Sequence, residues 1–349
     1  MVSVSSITDS NSSPVSDILR IFAVSTAIVA LVFTLNNFLI FWQGWPGLAG
    51  LTSHLGWFGA DPLRQPLTPL GVNLGFLQLA TYVLPVMIVI SLTLRSTGRS
   101  LTNDADLLIA IAGYIARAAF WTVLLVGLID MVISFMRVEG LLKGLLGEHL
   151  SAQLGRAIFR GTYVHYPLIA LSLVIAWFSR SLGFTWLTLL IVLAEFQIVL
   201  ARFIFSYEQA FMGDLVRFWY AALFLFASAY TLIEEGHVRV DIIYAGMSER
   251  KKAWTNLLGS LFLGTPLCWV ILVSGMWGKS NLINAPLLSF EVTQSGYGLY
   301  VKYLMAGFLL VYALTMLMVF LGYLLRNAAV LNRDDDAPQI GRSHGTPAN

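Results

Sequence analysis

Ionisable side chains lie within or beside long apolar stretches in the second half of this sequence. Glu195 and Arg202 are seven residues apart in one stretch, so a helix would place them on one face. Asp214 and Arg217 are three residues apart at the start of the next stretch. A charge at the centre of a bilayer costs about 2.5–3.5 kcal/mol or more, so such groups face protein or reach the interface. These four residues are predicted to form a polar cluster that supports helix packing or contact with a partner protein.

A second polar group follows that stretch. Its sequence is HVRVD, and its polar residues are His237, Arg239 and Asp241. Their alternation with valine indicates an extended or turn segment with one polar side. A basic run comes shortly afterwards, at Arg250, Lys251 and Lys252. This run suits anionic lipid headgroups, although ordinary solvated or snorkelling charges at a membrane boundary would show the same pattern.

Redox, metal and hydrolytic chemistry find little support in the sequence. Cys268 is the single cysteine and lies in an apolar stretch, which is typical of a small core residue. Of five scattered histidines, only His165 lies near the interior of a stretch, whereas a membrane haem needs two facing ligands. Phosphate-binding and nucleophile motifs are missing, and a net charge of +2 does not indicate nucleic-acid binding. We therefore predict no cofactor and no enzymatic activity.

The composition indicates the elements that position these residues. Hydrophobic residues make up 57% of the 349 residues and charged residues 11%. Soluble domains carry about 25% charged residues, so this chain cannot cover itself with a solvated surface. A helix that crosses a bilayer needs about 20 mostly apolar residues, because backbone polar groups must pair with one another in hydrocarbon. The sequence therefore predicts an all-α, polytopic helical membrane protein.

Eight stretches meet this requirement and predict about eight transmembrane helices. Their approximate bounds are 18–42, 71–94, 107–135, 162–178, 184–205, 215–233, 253–277 and 298–325. The polar start lacks a small-residue cleavage site, so the first stretch is expected to be a retained anchor. Lysine and arginine are denser in the short loops that share a side with the N-terminus, which predicts that both termini are cytoplasmic.

Two features of the first half also bear on the fold. The segment at about 138–160 is too polar to cross, but its leucines recur at helical spacing. This pattern predicts an interfacial amphipathic helix, with a loop helix packed on neighbouring spans as the alternative. The third stretch contains Arg117 and Asp130, whose separation of thirteen residues argues against a direct pair. Arg117 is interpreted as a buried structural contact, with a functional role as the alternative.

The order of charged residues in the second half resembles the small permease subunit, DctQ, of tripartite ATP-independent periplasmic (TRAP) transporters. Arg217 follows Arg202 after fifteen residues, and His237 follows Arg217 after twenty. The resemblance covers about residues 184–325. Asp214 is a single acid where the family has paired glutamates, and Val216 replaces the usual alanine before the arginine.

The chain is also N-terminally extended relative to the four-helix family pattern. We therefore predict a four-helix membrane extension at 1–182, a four-helix small-permease domain at 183–326 and a disordered cytoplasmic tail at 327–349. The resemblance implies a small, non-catalytic subunit of a secondary transporter in a bacterial inner membrane. Its expected partners are a large permease, a periplasmic substrate-binding protein and membrane lipids, and it would brace the permease and help dock the binding protein during sodium-coupled organic-acid uptake.

Two other functions stay open on the sequence alone. Eight spans are enough for a stand-alone transporter or channel, although the repeated broken helices typical of such proteins are not evident. A membrane anchor of an electron-transfer complex would need facing haem ligands, for which the sequence offers only His165.

Overall fold

A computed structural model describes residues 14–95, 100–179, 184–207, 209–233, 244, 246–293 and 298–332. Within these ranges the chain forms helices, turns and loops and no strand, so the prediction of an all-α protein is confirmed. His237, Arg239 and Asp241, which the sequence singled out, lie outside the described residues.

Eight helical stretches in the described ranges are long and apolar enough to cross a membrane, as predicted. Six are continuous helices, namely α1 (Pro14–Phe41), α3 (Pro69–Arg95), α4 (Leu101–Val138), α8 (Phe184–Phe205), α9 (Ala210–Ile233) and α13 (Lys302–Asn332). One combines α6 (Ala157–Arg160), a π-helical turn (Gly161–His165) and α7 (Tyr166–Phe178), and another combines α10 (Glu249–Gly259), a second π-helical turn (Ser260–Gly264) and α11 (Thr265–Met276). The shorter elements are α2 (Gly47–Leu55), a 3-10 turn (Trp57–Gly59), α5 (Leu141–Leu154) and α12 (Asn284–Ser289).

The helices exceed the predicted spans mainly at their ends. α4 begins at Leu101 rather than near 107, and α13 continues to Asn332 rather than to about 325. Hydropathy marks the residues that suit hydrocarbon, whereas helical hydrogen bonding continues into the polar turns beyond it. Residues 327–332 of the predicted disordered tail are thus helical, and residues 333–349 lie outside the described ranges.

The predicted amphipathic helix at 138–160 is divided in the structure. Gly147 within α5 adopts φ +77°, a left-handed conformation that glycine tolerates, and α6 forms a separate turn. Leu141, Leu145 and Leu150 are exposed, as expected of an apolar stripe at a membrane surface. Arg160, the last residue of the predicted segment, is fully buried.

The chain divides into two compact units, and neither is bounded at residue 183, where the sequence predicts a domain boundary. Unit 1 comprises Met1–Ile109, Val238–Leu267 and Leu317–Asn349, and unit 2 comprises Ala110–His237 and Cys268–Met316. The predicted division into an extension and a permease domain stays a prediction.

Unit 1 is held by polar contacts between its helices. Gln78 of α3 accepts a hydrogen bond from the backbone amide of Gly47 at 2.9 Å, and Asn36 of α1 donates one to Thr81 at 3.1 Å. Arg20 is buried and its Nε lies 2.8 Å from the Asp104 carboxylate. This buried ion pair joins α1 to the beginning of α4.

Unit 2 has an aromatic and aliphatic core. Phe226 packs edge-on against Phe120 and Phe308, with ring centroids 5.6 and 5.0 Å away. Trp219 donates from its indole nitrogen to the Val123 carbonyl at 3.2 Å. Gly127 lies beneath the same indole, where a Cβ atom would come within 2.4 Å of Nε1. Close approach of α9 to α4 therefore depends on this glycine.

Candidate functional site

The most deeply buried charges in unit 2 meet at Asp130 of α4. Its Oδ1 lies 2.9 Å from the Arg160 guanidinium and 3.1 Å from His165 Nε2, and its Oδ2 accepts a hydrogen bond from the Tyr300 amide at 2.8 Å. The side chains of Asp130, Arg160 and His165 are 0% exposed. Buried charges are tolerated when they are paired and hydrogen-bonded, and both carboxylate oxygens meet that condition. We call Asp130, Arg160 and His165 the buried triad.

The guanidinium of Arg160 has several partners besides the carboxylate. Nε donates to the Leu154 carbonyl at 3.0 Å, and Nη1 also donates to Ser134 Oγ at 3.1 Å. The guanidinium carbon lies 4.1 Å from the centre of the Tyr300 ring, in a cation–π contact. The Tyr300 hydroxyl donates to the Gly155 carbonyl at 2.9 Å and accepts from Arg137. Arg160 is thus held by α4, by the end of α5 and by the segment that precedes α13.

The π-helical turn explains why Arg160 and His165 face the same carboxylate. Five residues separate them, and in an α-helix they would point about 140° apart. A π turn closes hydrogen bonds between residues five apart and so brings them back to one face. Gly161 lets this turn approach its neighbours, because a Cβ atom there would lie 2.3 Å from the Phe290 ring. The triad is therefore a product of this local backbone form.

His165 completes the arrangement through its second ring nitrogen. The Asp130 carboxylate can only accept, so Nε2 carries a proton, while Nδ1 lies 2.9 Å from the Tyr303 hydroxyl. No group of three His, Cys, Asp or Glu side chains that could hold a metal ion occurs within the described ranges. The arrangement joins α4, the π turn and α13 by hydrogen bonds, and Arg160 neutralises the acid.

Asp214, which the sequence singled out, supports the same loop from another helix. Its Oδ2 accepts from the Leu299 amide at 3.1 Å and from Thr293 Oγ1 at 3.2 Å. Two successive amides, those of Leu299 and Tyr300, are therefore bound by two carboxylates on different helices, α9 and α4. The predicted pair with Arg217 is loose, at 3.9 Å, because the Asp214 carboxylate is directed at the loop.

Arg217 lines a cavity of about 500 Å³ together with Thr293 and Leu299 of this loop. Its side chain is 77% exposed. Lys302 and Glu291 also line the cavity and form an ion pair at 2.6 Å. The rest of the lining is mostly apolar, with Met305 and Leu309 of α13 among its residues. The cavity thus combines an apolar wall with charged groups of both signs.

Residues 188–330 match the family model of tripartite ATP-independent periplasmic transporters, DctQ component. This segment is a DctQ domain. Further membrane-spanning helices precede this segment, so the chain is N-terminally extended relative to the small component of TRAP transporters. Comparison with curated proteins and with solved structures finds no match. Asp214, Arg217 and the segment from Glu291 to Lys302 all lie within the DctQ domain, whereas the buried triad lies before it.

Glu195 and Arg202 of the DctQ domain are both exposed on α8. Neither forms an ion pair with the other or with Asp214 and Arg217 among the residues that the structure describes. A rise of about 1.5 Å per residue places them about 10 Å apart along the helix, too far for direct pairing. The structure thus brings Asp214 and Arg217 together loosely and leaves Glu195 and Arg202 outside that pair.

The basic run of the DctQ domain begins α10. Arg250 and Lys251 are exposed, whereas Lys252 is half-buried with its Nζ 5.4 Å from the centre of the Tyr244 ring. Contact of this run with lipid headgroups stays a prediction.

A further contact joins the turn after α4 to the turn after α8. The Tyr207 hydroxyl donates a hydrogen bond to the Glu139 carboxylate, and this bond raises the pKa of Tyr207 above its usual range. The two turns therefore meet at the end of unit 2 where Arg137 contacts Tyr300.

Sequence reasoning missed the buried triad as a unit. The spacing within the third stretch relates Asp130 only to Arg117, and the leucine periodicity places Arg160 at the end of the amphipathic segment. One signal was available, because an acid inside a span needs a counter-charge at equal depth. Asp130 lies near the end of the third span, and Arg160 and His165 lie at the start of the fourth, so the connection returns them to the same depth.

Proposed function

We propose that this chain is a small, non-catalytic subunit that braces the large permease of a TRAP transporter and helps to dock a periplasmic binding protein. The uptake that it serves would be sodium-coupled and would carry organic acids. The DctQ match supports the assignment to this class of transporter. The observation that carries the bracing role is the buried triad, in which both oxygens of the Asp130 carboxylate are bonded inside this chain.

A brace must keep its shape while its partner moves. In secondary transporters one part of the protein shifts against another about a fixed site. Hydrogen bonds of the triad join α4, the π turn and α13. These bonds are shielded from water, since the three side chains are 0% exposed. Separating these helices would leave charges unpaired in a buried environment, which is costly. This favours a rigid body over one that opens and closes.

The surface around the cavity that Arg217 lines is the proposed docking surface. Arg217, Lys302 and Glu291 present charges of both signs there, with side chains that are 77%, 46% and 42% exposed. Complementary charge steers partners together and fixes their orientation. On this proposal the surface faces the periplasm, the membrane is a bacterial inner membrane, both termini are cytoplasmic, and Arg250, Lys251 and Lys252 contact lipid headgroups.

The first test is purification of the tagged chain from its native membrane in mild detergent, with its partners identified by mass spectrometry. The proposal predicts near-equal recovery of a larger, multi-span permease. Recovery of the chain alone at several detergent strengths would contradict it. Sodium-driven carboxylate uptake by the chain reconstituted alone would contradict the non-catalytic role.

The docking role has a separate test in the reconstituted complex. Arg217→Glu is expected to weaken binding of the periplasmic protein severalfold, in a salt-dependent manner, because it reverses an exposed charge on the proposed surface. Lys143→Glu is the matched control, since Lys143 is 70% exposed on α5 and undergoes the same change in charge. Equal binding by wild type and Arg217→Glu would contradict this location for docking.

A further inference from the structure

Glu195 is an exposed carboxylate at the middle of a membrane-spanning helix. α8 runs from Phe184 to Phe205, so eleven residues precede Glu195 in the helix and ten follow it. A rise of about 1.5 Å per residue places it about 15 Å from either end. No hydrogen bond or ion pair to Glu195 occurs in the described part of the chain. It thus differs from Asp130, whose partners are internal.

The side chain of Glu195 is too short to reach water from that depth. Long lysine and arginine side chains near helix ends extend to the interface, and Arg202 can do so because only three residues separate it from Phe205. Glu195 has no such exit. A polar group in a bilayer faces protein or a water-filled space, and this face of α8 has neither within the described chain.

The position of Glu195 on α8 defines a stripe. Thr188, Glu195 and Arg202 recur every seven residues, and Val192 and Val199 lie between them, 59% and 47% exposed. We call these five residues the α8 stripe. Leu187, Ile191 and Ala194 occupy the adjacent face and are buried in the core of unit 2. A seven-residue repeat keeps one line of side chains facing a partner helix that crosses at about 20°.

We infer that the α8 stripe is the surface on which a transmembrane helix of the large permease packs. That helix carries an arginine, a lysine or another hydrogen-bond donor at the depth of Glu195. The inference rests on the proposed function for the existence of this partner. It adds which face of α8 the partner contacts and which type of side chain the partner places there. The charge of Glu195 selects a basic or donating partner, and the flanking valines supply apolar contact.

Site-specific photo-crosslinking locates the partner. A benzoylphenylalanine is placed at Val199 on the stripe in one variant and at Leu193 in another. Leu193 is 51% exposed, close to the 47% of Val199, and lies about 120° around the helix from it, so it is matched in exposure but faces elsewhere. Crosslinks to the permease from position 199 and not from position 193 are expected. Equal crosslinking from both positions, or crosslinking from 193 alone or from neither, would overturn the inference.

The role of the carboxylate is tested by co-purification of the permease with Glu195→Leu and Glu195→Gln. Glu195→Leu is expected to lower the apparent affinity about three- to tenfold, the range measured for hydrogen bonds between membrane helices, with a smaller loss for Glu195→Gln. Phe196→Leu is the control, because Phe196 is exposed on α8 but lies about 100° from Glu195. Size-exclusion profiles of the isolated variants report on folding.

The outcomes separate this inference from the proposed function. If the wild-type chain recovers no permease, both fail. If the wild-type chain and Glu195→Leu recover it equally, only the inference fails. A loss with Glu195→Leu but not with Phe196→Leu supports the α8 stripe.

Discussion

Asp130 and Glu195 are both carboxylates on membrane-spanning helices, yet their surroundings are opposite. Asp130 is 0% exposed and bound by Arg160, His165 and the Tyr300 amide. Glu195 is exposed at mid-helix. We assume the same bilayer around both helices. The charge of Asp130 is then stabilised by groups of this chain, whereas we infer that the charge of Glu195 is stabilised by a partner protein. The contrast separates residues that maintain the fold from residues that meet a partner.

Replacing each of the two carboxylates by its amide is the strongest test of this difference. Asp130→Asn is expected to lower the free energy of unfolding by about 3–5 kcal/mol, because Arg160 is left buried without a counter-charge. Glu195→Gln in the isolated chain is expected to change it little. Unfolding in maltoside detergent with increasing SDS, followed by tryptophan fluorescence, measures both. Equal losses would mean that the two carboxylates are not in different environments.

Replacing Asp214 tests whether the carboxylate that binds the Leu299 amide is also structural. Asp214→Ala is expected to cost about 1.5–3 kcal/mol, because it removes a charged acceptor from the Leu299 amide and from Thr293. Faster hydrogen exchange at Leu299 would report the loss directly. Arg217→Ala serves as the control, since that side chain is 77% exposed and its bond to Asp214 is loose. Unchanged exchange at Leu299 would contradict the assigned role.

Replacing Gly161 tests whether the π turn that positions the triad requires a glycine. Gly161→Ala is expected to cost about 1–3 kcal/mol, because the added Cβ atom meets the Phe290 ring at 2.3 Å and forces the π turn to shift. Gly213→Ala is the matched control on α9, where a Cβ atom meets nothing within 4 Å. Similar stability of the two variants would show that the π turn does not need this glycine.

Tyr303→Phe is expected to have the smallest effect, about 0.5–1.5 kcal/mol, because it removes one neutral hydrogen bond to His165 and keeps the ring packing. The double mutant with Asp130→Asn should be less than additive, since both changes act on the same histidine. Strict additivity of the two losses would indicate that Tyr303 acts independently of the triad.

The sequence predicts the crossing helices well because hydrocarbon imposes a length and a composition that can be counted residue by residue. It places Asp214 and Arg217 at a helix start, whereas α9 begins about one turn earlier, at Ala210. It does not reveal that Asp214 binds the loop at Leu299, some 85 residues later. It also assigns Arg160 to a surface helix, because helical periodicity continues through 138–160 and gives no sign of the break at Gly147 or of the π turn. Contacts that depend on an irregular backbone are therefore missed, while regular elements are found.

The two neighbouring amides at Leu299 and Tyr300 have a mechanical consequence. One is bound to a carboxylate on α9 and the next to a carboxylate on α4, and consecutive Cα atoms in a chain are only about 3.8 Å apart. A peptide bond cannot stretch, so any sliding of α9 along α4 must break one of these two bonds. The loop therefore fixes the position of α9 relative to α4. We expect these two helices to move together as one rigid body in every state of the transport cycle.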